Sequence, residues 1–146
     1  MKFVYAACAA LLAGACAGFV WPAKADVPAP MDKPFSIGGI DTVCTGIGDD
    51  AQHDPRWLTY PIRIEFANAA QQYLSGAHVV LTGAGGKSLA TLDCDGAWVL
   101  FRLPPGMYHV TATLLGQSSL TASGTFSPPP SGQKRVILNF GAKANP

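Results

Sequence analysis

The fold is decided by one stretch of the chain, which reads Asp95-Gly96-Ala97-Trp98-Val99-Leu100-Phe101-Arg102-Leu103-Pro104-Pro105-Gly106-Met107-Tyr108-His109-Val110-Thr111-Ala112. Its first apolar run ends at Leu103, and Pro104-Pro105 cannot donate the hydrogen bonds that would continue a strand ladder. Gly106 then permits a tight reversal, and apolar residues resume in alternation from Tyr108. Two β-strands joined by a short turn are therefore predicted.

The same alternation of apolar and polar residues appears on both sides of this stretch, from about residue 61 to residue 140. Clusters of Gly, Pro and Ser separate the alternating segments, and no long helical pattern is present. About seven short strands with regular turns predict a single all-β sandwich. The expected core residues are Ile62, Ile64, Phe66, Val79, Leu81, Trp98, Leu100, Leu103, Tyr108, Val110, Val136 and Leu138.

The stretch from Gly96 to Ala112 resembles the carboxypeptidase regulatory-like family. The recurrent pattern of that family is Gly-x-aromatic-x-aliphatic followed by Leu-Pro-Pro-Gly-x-Tyr-x-Val-x-Ala, and each named position is matched here. The resemblance covers about residues 61–140. It implies a seven-stranded transthyretin-like (prealbumin-like) β-sandwich, and an accessory module rather than the part of an enzyme that does the chemistry. Neither the catalytic zinc motif of the carboxypeptidases nor the Tyr-Arg-Gly-Ser motif of the transthyretin-like hydroxyisourate hydrolases occurs in the sequence.

The N-terminal 25 residues have the pattern of an export signal peptide. Lys2 precedes the apolar run 3–20, and Ala23-Lys24-Ala25 is a small-x-small site, so cleavage is expected before Asp26. The alternative is a lipoprotein anchored at Cys16. The predicted organisation is thus a signal peptide (1–25), a linker and loop-rich lead-in (26–60), the β-sandwich (61–141) and a tail (142–146), with no transmembrane segment after cleavage.

The charge of the predicted mature chain argues against a nucleic-acid partner. Residues 26–146 carry eight Lys and Arg against nine Asp and Glu, a net charge of −1, with no basic stripe. Nucleic-acid binding depends on neutralising phosphates with clustered basic residues. The expected location is the periplasm or the extracellular medium.

One dense polar cluster, within the lead-in, could carry chemistry. Asp49, Asp50, His53 and Asp54 could hold a divalent cation or serve a small periplasmic hydrolase. The other interpretation is a solvated loop in which an Asp caps a helical turn. Asp93 and Asp95 are interpreted as turn residues, and His78 and His109 as outward-facing strand residues.

Four aromatic side chains could suggest a carbohydrate platform, but packing explains them better. Trp98 and Tyr108 match core positions of the family pattern. Trp57 and Tyr60 are expected to cover one end of the sandwich, since large aromatics are usually at least partly buried.

The cysteines predict a disulfide bond. Cys8 and Cys16 lie in the predicted signal peptide, so the mature chain keeps Cys44 and Cys94. An even cysteine count in an oxidising compartment favours pairing. A Cys44–Cys94 bond would attach the lead-in to one end of the sandwich.

The expected function is a non-catalytic β-sandwich module for binding or interaction in the periplasm or cell envelope. No catalytic, metal-binding or cofactor-binding residue is assigned, and the partner is expected to be an unidentified protein or small ligand of the envelope. The alternatives are the hydrolase or metal-binding protein described above and a structural accessory domain of an envelope assembly.

Overall fold

The computed structural model describes residues 28–146. The predicted signal peptide and the alternative lipid anchor at Cys16 lie outside the described residues. Nine strands form within the described range: β1 (Phe35–Ile37), β2 (Ile40–Thr45), β3 (Ile62–Ala67), β4 (Ala77–Thr82), β5 (Ser88–Cys94), β6 (Trp98–Arg102), β7 (Tyr108–Leu114), β8 (Thr121–Phe126) and β9 (Lys134–Asn139). Helix α1 (Asp49–Gln52) and two 3₁₀ turns (Pro55–Thr59 and Ala84–Gly86) complete the secondary structure of this range.

The strands form two sheets, which confirms the predicted all-β sandwich. One sheet has five strands in the order β1-β2-β6-β3-β9, and the other has four in the order β5-β4-β7-β8. The β3–β9 pair is parallel, whereas the other strand pairs are antiparallel. Strands β6 and β7, which flank the Pro104-Pro105 turn, belong to different sheets, so this turn carries the chain from one layer to the other.

The turn itself is closed by a side chain. The Tyr108 hydroxyl donates a hydrogen bond of 2.8 Å to the carbonyl oxygen of Pro104, while the Tyr108 ring stacks on Phe126 with centroids 5.9 Å apart. One residue thus fixes the turn with its polar end and fills the core with its apolar body.

The main core lies between the two sheets and contains Ile64, Phe66, Val79, Leu92 and Phe101, all fully buried. All the predicted core residues are buried except Val136, which is half-buried. Leu100 and Trp98, however, do not belong to this core.

A second, smaller core covers the outward side of the five-stranded sheet. It consists of Val43, Trp57, Tyr60 and Leu100, each at most 4 % exposed. The side chains of Val43 and Leu100 are opposite each other on neighbouring strands, and the 3₁₀ turn Pro55–Thr59 lays Trp57 over them. Because both sides of β6 are covered, nearly every residue of that strand is buried.

The lead-in differs from the sequence prediction. Residues 26–60 were expected to be a linker and loops with Cys44 outside any strand, but β2 contains Cys44 and pairs along its length with β6. The period-two pattern is obscured because Thr42 and Thr45 are fully buried. Their hydroxyls donate to the Ile40 carbonyl and to Asp32 Oδ1, respectively. The sandwich therefore begins in the lead-in and has two more strands than expected.

The predicted Cys44–Cys94 disulfide is present, with Cα atoms 5.6 Å apart and both residues fully buried. Cys44 lies on β2 of the five-stranded sheet and Cys94 ends β5 of the four-stranded sheet. The bond thus joins the two sheets to each other.

Two glycines near the disulfide have no room for a side chain. A Cβ atom on Gly96 would collide with the backbone of Thr45, and the Gly96 amide donates to Cys44 Sγ. At Gly46, where φ is +95°, a Cβ atom would lie 2.6 Å from the Trp98 ring.

Replacement of Leu100 by Ala tests the second core. The substitution should lower the free energy of unfolding by about 2–5 kcal/mol, because it leaves a cavity beneath Trp57 and Tyr60. Leu58→Ala is the matched control, since Leu58 lies in the same 3₁₀ turn but is 66 % exposed, and it should change the stability by less than about 0.5 kcal/mol. Urea unfolding measures both, and equal effects would contradict the assignment of the two faces.

Removal of the disulfide should also destabilise the protein strongly. The bond closes a loop of 50 residues, for which the chain-entropy model gives about 4 kcal/mol. The double variant with Cys44→Ala and Cys94→Ala should lose stability by that order in urea unfolding. Thiol titration of the denatured, unreduced mature protein should find no reactive thiol, and two per chain would contradict the bond.

Candidate interaction surface

The outward face of the four-stranded sheet is a broad polar surface with little charge. The alternation of each strand places alternate residues on this side. They are His78, Val80, Thr82, Thr91, Asp93, His109, Thr111, Thr113, Thr121, Ser123 and Thr125, all half-buried or exposed. No Lys, Arg or Glu is among them, so hydroxyl groups dominate this side of the molecule.

Cross-strand hydrogen bonds order these hydroxyl groups. Thr113 and Thr121 are opposite each other on β7 and β8, and their hydroxyl oxygens are 3.1 Å apart. In the same pair of strands, His109 Nδ1 lies 3.1 Å from the Thr125 hydroxyl oxygen. The two strands therefore present a fixed array of small polar groups.

A hydrogen-bonded histidine and aspartate lie on this face. His78 Nδ1 is 2.6 Å from Asp93 Oδ1, because the two residues are directly opposite on β4 and β5. The interpretation of Asp93 as a turn residue was wrong, since it lies within β5, whereas Asp95 follows the strand. His78 and His109 are on neighbouring strands but do not pair, because the register places His78 opposite Thr113 and His109 opposite Thr82.

The Asp49–Asp54 cluster is engaged in local helical structure. Asp49 and Asp50 open helix α1, and the Asp49 carbonyl oxygen lies 2.8 Å from His53 Nδ1. Asp54 caps the following 3₁₀ turn by accepting from the Arg56 amide, and its carboxylate also binds the Arg56 guanidinium at 2.6 Å. These hydrogen bonds from Arg56 lower the pKa of Asp54 and raise that of Arg56.

The geometry of this segment thus follows the capping interpretation. Within residues 28–146, no three His, Cys, Asp or Glu side chains converge as metal ligands would. In that same range, none of the helices has the length and apolar character needed to cross a bilayer.

A polar cluster on the five-stranded sheet was missed by the sequence analysis. Glu65 is 1 % exposed, and both of its carboxylate oxygens accept hydrogen bonds from Arg135, at 2.7 and 2.8 Å. Arg63 Nε lies 2.7 Å from the same carboxylate. These bonds to Glu65 raise the pKa of Arg135. The alternation of Ile62, Ile64 and Phe66 had indicated only that the residues between them face outward.

Aromatic rings cover this ion cluster. The Arg63 guanidinium carbon lies 4.3 Å from the centroid of the Trp98 ring, and Tyr73 packs edge-on against Trp98 at 5.7 Å. Arg135 remains about half exposed. Because the Glu65 carboxylate contacts both guanidinium groups, we interpret the cluster as a means of fixing β3 and β9 to the outward side of β6.

Trp57 and Tyr60 are buried, as expected, but they cover the outward side of the five-stranded sheet and not an end of the sandwich. The Tyr60 hydroxyl donates to Asp41 Oδ1 at 2.9 Å, and the Arg102 guanidinium carbon lies 4.7 Å from the Tyr60 ring centroid. Burial, followed by the hydrogen bond to Asp41, raises the pKa of Tyr60.

A pocket of about 400 Å³ lies where the tail meets the loop after β3, lined by Asn68, Ala69, Ala70, Gln72, Ala142, Ala144, Asn145 and Pro146. The most buried side-chain amide in the pocket, that of Asn68, makes its hydrogen bonds within the protein. The side chain of Asn68 donates to Gln72 Oε1 and to the Ala144 carbonyl, and its oxygen accepts from the Ala70 and Gln72 amides. The pocket is therefore held together by the groups that line it.

No model of a known protein family matches this chain, and no curated protein matches it in sequence. The similarity to the carboxypeptidase regulatory-like family accordingly stays a prediction.

The raised pKa of Tyr60 predicts a specific loss of stability in alkali. The folded state favours the neutral hydroxyl, so this contribution is present below the ordinary tyrosine pKa of 10.0 and is lost as the pH rises from there through the folded pKa. The difference in unfolding free energy between the wild type and Tyr60→Phe should therefore shift against the wild type between pH 9 and 11. The control is the same difference at pH 7 and 8.5, which should be constant. A difference that stays constant up to pH 11 would contradict the burial argument.

Proposed function

We propose that this chain is an exported, non-catalytic β-sandwich module that acts by binding or interaction in the periplasm or cell envelope. The proposal rests on one observation, which is that acidic side chains are hydrogen-bonded to other side chains within the fold. Asp32, Asp41, Asp54, Glu65 and Asp93 each bond to a side chain of the fold. These five carboxylates thus take part in holding the fold, and the outward face of the four-stranded sheet presents mainly hydroxyl groups.

Export is supported by the disulfide. Cys44–Cys94 joins the two sheets and is completely buried, and such bonds form and persist in oxidising compartments. The N-terminal pattern 1–25 supports the same location. Intact-mass measurement of the exported protein should give a chain that begins at Asp26, whereas a diacylglyceryl mass at Cys16 would replace the soluble form with the lipoprotein.

The finer fold assignment is part of the proposal. We assign the sandwich to the transthyretin-like type, with the regulatory-like pattern forming β6, the Pro104-Pro105 turn and β7. The hydrogen bond from Tyr108 to Pro104 supports this assignment, because it gives the pattern's Pro and Tyr a shared structural role. Fold type does not determine activity, so the accessory role rests on the resemblance and on the surface described above.

The competing hydrolase hypothesis can be tested by activity measurements. The purified mature protein should show no hydrolysis of esters, peptides or cyclic ureides above the uncatalysed background. The test variant combines Asp49→Asn, Asp50→Asn, His53→Ala and Asp54→Asn, in which the Asn at position 54 keeps an oxygen for the Arg56 amide. Asp95→Asn is the control outside the cluster. Wild-type activity that the control keeps and the combined variant loses would overturn the proposal in favour of an enzyme.

The interaction part is tested in cells with photoactivatable residues at three exposed positions outside β8, Ile47, Leu58 and Met107. A binding module should give a discrete cross-linked product at one position at least, and the three positions should not all give the same products. Absence of any product at every position, with the protein exported and folded, would contradict the proposal.

A further inference from the structure

The two sheets have four edges, and these differ sharply in how they are protected. An unprotected edge strand presents backbone N–H and C=O groups that can pair with another strand. Proteins commonly protect such edges by making them short, by placing charges on them or by covering them with another segment. The edges here are β1 and β9 in one sheet and β5 and β8 in the other.

Three of the edges carry such protection. Strand β1 has only three residues. Strand β9 begins with the exposed residues Lys134 and Arg135. Strand β5 is covered at Asp93 by a parallel bridge from Pro28, with the Ala29 amide donating to the Asp93 carbonyl at 2.9 Å, and its pairing with β4 is irregular near Thr82.

Strand β8 has none of these features. Its six residues, Thr-Ala-Ser-Gly-Thr-Phe, include no charge and no proline, and it lies in a stretch, 103–133, that contains no Asp, Glu, Lys or Arg. Within residues 28–146, β7 is the only segment to which β8 makes backbone hydrogen bonds. In an antiparallel pair, about half of the N–H and C=O groups point away from the partner strand. Those of β8 point outward along the sheet.

From this contrast we infer that β8 is a self-association edge, which pairs in antiparallel fashion with β8 of a second copy of the chain. The two four-stranded sheets then form one sheet of eight strands. The two-fold axis passes through Ser123, so that Ser123 faces its own counterpart and Thr121 faces Thr125 of the second copy. The inference goes beyond the proposed function, since it holds whatever else the module binds.

The side chains of β8 fit this register on both faces. On the outward face, the new contacts are hydroxyl to hydroxyl, the same kind of pair that Thr113 and Thr121 already make at 3.1 Å. On the inward face, Ala122 is opposite Gly124 of the second copy, so no large side chain obstructs the approach. Because no residue of β8 is charged, the two copies place no like charges opposite each other, which would oppose a symmetric pair.

Symmetry and size determine what kind of dimer to expect. A two-fold contact uses the same edge on both copies and closes the assembly at two chains. One pair of six-residue strands buries less surface than the roughly 1,200 Å² of a typical stable interface. The dimer should therefore depend on concentration, with the average mass rising from one chain to two as the protein is concentrated.

Covalent trapping is the direct test, with the mature chain as exported. Ser123→Cys places two thiols opposite each other at the axis, where Cα atoms of facing residues are about 4.5–5.5 Å apart and a disulfide can form. Ser36→Cys is the matched control, because Ser36 is an exposed serine at the centre of the other short edge strand, β1. Under mild oxidation, Ser123→Cys should give at least ten-fold more covalent dimer than Ser36→Cys, with the native Cys44–Cys94 bond intact by peptide mapping.

A charge variant tests the same edge without added thiols. The variant with Thr121→Lys and Thr125→Lys places four positive charges around the axis and should sediment as a monomer at every concentration. The control, with Ser88→Lys and Thr91→Lys on the opposite edge β5, should dimerise as the wild type does. Thermal unfolding of each variant confirms that it is folded.

Three outcomes would overturn the inference: a wild type that stays monomeric at millimolar concentration, equal cross-linking at Ser36 and Ser123, or dimerisation unaffected by the lysines on β8. None of these would bear on whether the module binds an envelope partner, which the photo-cross-linking experiment measures separately.

Discussion

The Cys44–Cys94 disulfide is the constraint on which the arrangement of the two sheets depends. It passes through the core between β2 and β5, at the side of the sandwich where these strands approach each other. The segment before β1 is fixed at the same place, because Pro28 pairs with Asp93 and Met31 pairs with Cys44. Both bridges involve a disulfide cysteine or its direct neighbour. The bond therefore organises the N-terminal segment as well as the sheets.

The opposite side of the sandwich has no comparable closure among the described residues. There β8 and β9 are the edges, and they belong to different sheets. Gly124 of β8 leaves room for the side chains of Val136 and Leu138 from β9, which would lie 3.4–3.6 Å from a Cβ atom at that position. Side chains thus pack the two layers together on this side, and among the described residues no strand pairs with the outer edge of β8. This difference between the two sides is the physical origin of the contrast between β5 and β8.

The sequence predicted the strands best where only one face of the strand is buried. Strand β7 reads as strict alternation, with Tyr108, Val110 and Ala112 buried and His109 exposed, so both its existence and its faces were predictable. Strand β6 is buried on both faces, and a continuous apolar run does not show which residues face which side. Leu100 was accordingly predicted to be buried, but the neighbours that bury it could not be predicted.

Strand β2 was missed for a different reason. Its hydroxyl side chains, Thr42 and Thr45, are fully buried because each donates a hydrogen bond inside the protein. A buried threonine is acceptable when its hydroxyl has a partner. The partner of Thr42 is the nearby Ile40 carbonyl, whereas nothing local in the sequence identifies the partner of Thr45. Asp32 is thirteen residues before Thr45. Prediction from alternation therefore fails where polar groups are satisfied by distant parts of the chain.

The same limitation applies to the candidate sites. The cysteine pairing could be predicted because only two cysteines remain after residue 25, and pairing needs no knowledge of geometry. The Glu65 cluster could not, since Arg135 is seventy residues away along the chain and becomes a neighbour only because β9 runs parallel to β3. That parallel register places Arg135 opposite Arg63, and both lie two residues along the strand from the level of Glu65. Two guanidinium groups brought together on adjacent strands repel each other, and the buried carboxylate offsets that repulsion. The position of Glu65 thus follows from the parallel β3–β9 pair, and a sequence pattern that shows each strand by itself cannot contain it.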